Sequence, residues 1–96
     1  MTKLIIEETC PQSGRVELSG GLTRLIWTEL FEEPASWRIE CKTLQAERWY
    51  CLREVGRINR MIKTTALRPF WRVSALNLDG DTIGKPLELT SENVTL

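Results

Sequence analysis

Trp37-Arg38-Ile39-Glu40-Cys41-Lys42 alternates apolar and charged residues without a break. Successive side chains on an extended strand point to opposite faces. This stretch therefore turns Trp37, Ile39 and Cys41 toward a core and Arg38, Glu40 and Lys42 toward water. No other segment carries so strict a period of two, and it decides the fold class as β.

Reading outward toward the N-terminus, Glu32-Glu33-Pro34-Ala35-Ser36 is a loop by its turn residues. Leu22 to Leu30 is a strand, with Leu25 and Trp27 on one face and Arg24, Ile26 and Thr28 on the other. Gly20-Gly21 punctuates it from an earlier strand in which Val16 and Leu18 alternate with Glu17 and Ser19. Leu4-Ile5-Ile6 is a short β-branched run ending before Pro11. Toward the C-terminus, Leu44 to Arg48 is a polar connection. Trp49 to Val55 is the next strand, with Trp49, Cys51, Arg53 and Val55 on one face, and Gly56 ends it. Ile58 to Leu67 reads two ways: a short helix by charge and Met content, or a strand through Met61-Ile62-Lys63-Thr64-Thr65. Pro69 breaks the pattern, and Trp71, Val73 and Ala75 alternate with Arg72 and Ser74. Asn77-Leu78-Asp79-Gly80-Asp81 is a hairpin turn. Ile83 to Leu89 is a last strand, which Pro86 places at a sheet edge. From Ser91 the tail is polar and is expected to be loose.

Short strands with turn signals about every ten residues predict one all-β domain, a seven- to eight-stranded antiparallel β-sandwich or barrel. The predicted organisation is an N-terminal extension or extra strand at 1–14, the domain at 15–90 and the tail at 91–96. Leu25, Trp27, Trp37, Ile39, Val73 and Ala75 are the inward positions. Ninety-six residues suffice for one core.

Thirteen Lys and Arg balance thirteen Asp and Glu, so the net charge is zero. A dedicated nucleic-acid binder usually carries a basic excess. The charge is nonetheless uneven: residues 48–72 hold Arg48, Arg53, Arg57, Arg60, Lys63, Arg68 and Arg72 against Glu54 alone. Three Cys, at 10, 41 and 51, are an odd count with no Cys-x-x-Cys spacing, which speaks against a disulfide framework and a zinc site. A Cys41–Cys51 pair remains open, with free thiols in a reducing compartment favoured. The first residues show no secretory signal, and no stretch approaches the ~20 apolar residues of a membrane-spanning helix. A cytoplasmic protein without membrane attachment is expected. Asn93-Val94-Thr95 fits a glycosylation sequon, which has no consequence in that compartment.

The order of these features resembles a fibronectin type III domain, an Ig-like sandwich. Thr23-Arg24-Leu25-Ile26-Trp27-Thr28 is similar to that family's second strand, with its Trp. Trp37-Arg38-Ile39-Glu40-Cys41 is similar to its third. Leu67-Arg68-Pro69 and Arg72-Val73-Ser74-Ala75-Leu76-Asn77, followed by Asp79-Gly80, look like its Leu-x-Pro and Arg-Val-x-Ala-x-Asn passage. One departure stands out. No Tyr lies between Pro69 and Arg72, so the family's tyrosine corner must be shortened or built differently. The resemblance implies a two-sheet sandwich that binds partners. A lone domain of this kind is expected to be a small accessory, virion-associated or inhibitor-type protein.

The chain has no His, hence no imidazole base, ligand or nucleophile partner. It has no phosphate-binding glycine motif. Glu7-Glu8 and Glu32-Glu33 are adjacent acids that a strand would turn to opposite faces, so neither is an acid–base dyad. Asp79-Gly80-Asp81 lacks the further oxygen ligands of a calcium loop. The sequence therefore predicts a protein that is not an enzyme, with no catalytic, cofactor or metal residues. The candidate partner-binding residues are Arg48, Trp49, Tyr50, Arg53 and Arg57, because Trp, Tyr and Arg dominate binding hot spots. The expected partner is another protein, with homodimerisation through an edge strand as a further route. The alternative is single-stranded nucleic acid on the 48–72 stripe, its bases stacked on Trp49 or Tyr50.

Overall fold

The computed structural model describes residues 9–28 and 34–91. The run Leu4-Ile5-Ile6, the acid pairs Glu7-Glu8 and Glu32-Glu33, Asn93 and the tail beyond Ser91 lie outside the described residues. Seven strands make up the fold: β1 (Ser13–Ser19), β2 (Leu22–Thr28), β3 (Ser36–Lys42), β4 (Tyr50–Gly56), β5 (Met61–Thr64), β6 (Phe70–Leu76) and β7 (Thr82–Thr90). They form two antiparallel sheets, one ordered β1-β2-β5 and the other β4-β3-β6-β7. No helix occurs among the described residues. The open reading of Ile58–Leu67 resolves to the four-residue strand β5, with its β-branched residues prevailing over helix propensity.

The two sheets share one apolar interior. Leu25, Trp27 and Ile62 come from the three-stranded sheet, and Trp37, Ile39, Cys41, Trp71, Val73 and Ala75 from the other. All six inward positions read from alternation are fully buried. The indoles of Trp27 and Trp37 meet edge to face across the sheets, with centroids 6.0 Å apart. Burying indoles of roughly 150–250 Å² each supplies several kcal/mol apiece at about 25 cal/mol per Å² before entropy. Trp37 donates from Nε1 to the Arg57 carbonyl at 3.0 Å and Trp71 to the Arg68 carbonyl at 2.9 Å. With no tyrosine between Pro69 and Arg72, the Trp71 indole ties the approach to β6. Trp27 Nε1 is buried without an acceptor.

The flanks of the sheets are not equivalent. On one side β1 runs beside β7, and Gly14 makes the approach: a Cβ there would sit 2.6 Å from the Ile26 carbonyl oxygen and 3.1 Å from Leu87 Cδ2. The segment before β1 ties both sheets together. Cys10 N–H donates to the Lys85 carbonyl at 2.8 Å and Gln12 N–H to the Thr28 carbonyl at 3.0 Å. On the other side β4 ends its sheet and β5 ends the other.

Two expectations are corrected here. Ser91 is not part of a loose tail: it is buried, and its N–H donates to the Pro69 carbonyl at 2.8 Å. Trp49, Cys51, Arg53 and Val55 do not share one face. The β3–β4 register shifts between Ile39 and Glu40, so Ile39 stands opposite Arg53 while Glu40 stands opposite Cys51. Leu52 is the extra residue of a β-bulge, which reverses the facing on either side of it. The Asn77–Asp81 turn is present, with the Asn77 carboxamide oxygen accepting from the N–H groups of Asp79 and Asp81 at 2.9 Å each and Gly80 at a φ of 86°.

Candidate partner-binding surface

β4 positions the candidate residues. It is seven residues long, carries no proline and has β3 on one side only. Directly opposite residues of an antiparallel pair share a face. Cys51 and Glu54 therefore lie on the outer face with Glu40 and Arg38, and Arg53 and Val55 on the core side with Ile39 and Trp37. Val55 and Leu52 pack against the core. Arg53, at the strand's margin, is exposed all the same.

The five candidates separate into two groups. Arg48, Tyr50, Arg53 and Arg57 are exposed along the free edge, with Tyr50 at 67%. The guanidinium groups of Arg48, Arg53 and Arg57 have no acid within reach among the described residues. Arg57 also serves the fold, because its carbonyl accepts from Trp37 Nε1 and from Arg60. Trp49 belongs elsewhere. Its ring lies 4.6 Å from the Arg72 guanidinium and 4.8 Å from the Lys42 ammonium, over the outer face of the four-stranded sheet. Lys42 also faces Phe70 at 5.8 Å. Arg72 is held in place by a two-pronged bond to Glu40, Nε to Oε1 at 2.9 Å and Nη2 to Oε2 at 3.0 Å.

Lys42, Phe70 and Glu88 beside Trp49 were not among the candidates. With Leu44, Leu89 and Thr90 they line a shallow groove of about 500 Å³. The register that sets Lys42 opposite Phe70 and Arg72 opposite Glu88 brings them together. Only the strand order could have revealed this. A second groove of about 550 Å³ lies on the three-stranded sheet by Glu17, Arg24, Lys63 and Leu22. There Arg24 and Arg15 both bond Glu17, and these bonds hold its carboxyl below the usual carboxylate range.

The basic stripe is dispersed. Arg60 lies over the Trp37 ring at 5.0 Å, Lys63 pairs in register with Arg24 on the other sheet, and Arg72 is tied to Glu40. Arg68 donates to the Leu67 carbonyl, and Arg48, Arg53 and Arg57 lie on β4 or in the segments flanking it. Cys41 and Cys51 are free thiols. Cys10 and Cys41 are buried and Cys51 is exposed on the face opposite to Cys41, so the open question of a Cys41–Cys51 bond closes against it. Burial pushes the Cys41 thiol up, keeping it protonated. Among the described residues no three His, Cys, Asp or Glu side chains gather as a metal site, and no helix is long and apolar enough to cross a membrane.

No protein-family description matches the chain, and no curated protein matches its sequence. Solved structures do. Pectate lyase Pel3 from Pectobacterium carotovorum superposes with a TM-score of 0.69 at 10% identity, over 83% of this chain and 26% of the lyase. A second crystal form of Pel3 gives 0.68 at 11% identity, over 86% and 27%. Pectate lyase PelI from Erwinia chrysanthemi, in complex with tetragalacturonic acid, gives 0.64 at 8% identity, over 79% and 27%. At these identities the likeness is one of fold, and this chain spans about a quarter of the lyases' length.

The comparison corrects the resemblance to fibronectin type III and Ig-like domains: the structures that superpose are pectate lyases. The residues behind the resemblance explain the error. Thr23–Thr28, Trp37–Cys41 and Arg72–Asn77 carry alternating inward side chains and large indoles, which packing two antiparallel sheets demands of any family.

Proposed function

We propose that the two sheets pack as a β-sandwich and that the domain is a non-enzymatic protein-interaction module whose contact strand is β4. The observation that carries this reading is the β4 margin itself. It is an open edge bearing Tyr50 at 67% exposure and three guanidinium groups without acid partners among the described residues. Exposed Tyr and Arg are the side chains that supply binding energy when a partner desolvates them. The absence of His from the whole chain supports a role without catalysis. The fold shared with pectate lyases argues for a direct check, since those proteins are enzymes by name.

Affinity capture with wild type beside Tyr50→Ala/Arg53→Ala tests the reading. A partner held by wild type and lost by the variant is expected; identical profiles would remove β4 from consideration. Incubating the purified chain with tetragalacturonic acid and chromatographing the products should return the oligomer intact. Shortened fragments would overturn the non-enzymatic role. The nucleic-acid reading of residues 48–72 is weaker, because Arg60 and Arg72 are engaged within the fold and Trp49 is flanked by two cations. Titration with single-stranded DNA and RNA at low salt should give no binding.

A further inference from the structure

We infer that the open edge of β4 receives an acidic, extended segment of a partner protein, added as a further strand to the four-stranded sheet. This rests on the reading of β4 as the contact strand and names what docks there.

The other sheet margins are spoken for or too short. β7 ends the same sheet, but Thr9 bridges to Lys85, Cys10 N–H bonds the Lys85 carbonyl, and Pro86 removes a backbone donor. β1 lies against β7. β5 has four residues. β4 offers seven without proline, regular from Arg53 to Gly56 beyond the bulge at Leu52, and no described strand lies on its free side. An uncovered edge of this kind presents backbone N–H and C=O groups that an extended peptide can bond in register.

Charge selects the occupant. Arg15, Arg24, Arg38 and Arg72 on the sheet faces each reach a carboxylate, at 2.9 to 3.7 Å. Among the described residues Arg48, Arg53 and Arg57 on the β4 margin reach none, as Arg60, Lys63 and Arg68 elsewhere reach none. Glu54, the acid within β4, is engaged by Arg38 across the sheet, and Glu47 stands beside Arg48 at the entry to the strand. The margin therefore carries three cations with no acid partner among the described residues, and Tyr50 and Ile58, at 67% and 87% exposure, supply apolar contact at its two ends. A strand carrying carboxylates at alternate positions satisfies both the backbone and the guanidinium groups. A single-stranded nucleic acid would satisfy the charge but not the backbone row, and Trp49 already has Arg72 and Lys42 against its ring.

The test is a fluorescence-anisotropy titration of the full chain against three labelled peptides. One is Glu-Val-Glu-Val-Glu-Tyr-Glu, one replaces every Glu by Lys, and one keeps the acids but N-methylates alternate backbone amides. The acidic peptide should bind at low salt and weaken as salt rises. Arg48→Glu/Arg53→Glu/Arg57→Glu, confirmed folded by circular dichroism, should bind it at least about tenfold more weakly. The lysine peptide should not bind, and the N-methylated peptide should lose about tenfold. Amide exchange should slow along β4 in the complex. Equal binding of the N-methylated peptide would reduce the contact to charge and overturn strand addition. No binding of the acidic peptide, a dimer whose β4 amides are already protected, or binding of single-stranded RNA in its place would overturn it too. If the peptide fails while capture still yields a protein lost on Tyr50→Ala/Arg53→Ala, strand addition falls and the interaction module stands. If both fail, both fall.

Discussion

The two flanks of this domain are built to opposite ends. Where β1 meets β7, Gly14 leaves room for the Leu87 and Leu89 side chains, Pro86 interrupts one edge, and the Thr9–Gln12 segment bonds to both sheets. Where β4 and β5 end their sheets, no described segment covers them and the cations have no acid partner among the described residues. Edge strands left open invite association, and proteins usually blunt them. One flank here is blunted by covalent neighbours and the other by charge and by the bulge at Leu52. The difference separates a margin committed to the fold from one available to a partner.

Perturbing each flank should show that asymmetry as stability on one side and binding on the other. Trp37→Ala should have the largest effect. It removes a fully buried indole and releases the carbonyl of Arg57 at the end of β4. A loss of about 3–5 kcal/mol is expected, enough to unfold a domain of marginal stability. An unchanged thermal midpoint would place Trp37 outside the core. On the closed flank, Gly14→Ala should cost about 1–3 kcal/mol in urea denaturation, because the new methyl meets the Ile26 carbonyl. Glu40→Gln should cost about 1–2 kcal/mol by weakening the two-pronged bond to a half-buried Arg72. On the open flank, Arg48→Glu/Arg53→Glu/Arg57→Glu should change stability by no more than about 0.5 kcal/mol. A larger loss would show those side chains serving the fold.

The smallest effect is electrostatic. Glu17 is held below the usual carboxylate range, chiefly by its bond to Arg24, so its carboxylate favours the folded chain above its unfolded value. That contribution disappears as pH falls through the lowered folded value. The acid limb of the thermal midpoint should therefore be slightly shallower in Glu17→Gln than in wild type. Parallel acid limbs would leave Glu17 without a role in it.

The sequence made the inward residues legible, since burial on one face enforces a strict alternation. Trp37, Ile39 and Cys41, Leu25 with Trp27, and Val73 with Ala75 all point where their period says, whereas Glu40, expected in water, is buried under Arg72. The same rule misplaced Arg53 relative to Cys51. A bulge inserts one residue without a local mark, and Leu52 looks like any other strand residue. The free arginines were visible by composition. Their isolation from Arg60, Lys63 and Arg72 was not, because it depends on which strands become neighbours. For the same reason Trp49 read as an exposed anchor, whereas Lys42 of β3 and Arg72 of β6 flank its ring. Family resemblance failed on the opposite ground: its motifs were real but generic to the architecture.

The Thr9–Gln12 segment has a mechanical consequence. Cys10 is bonded to β7 of one sheet and Gln12 to the end of β2 in the other. Tension applied through the N-terminal end of the domain would load both sheets at once, in place of peeling strands from one of them singly. A force trace pulled from that end should show one rupture for the whole domain, with the interior torn open in the same event.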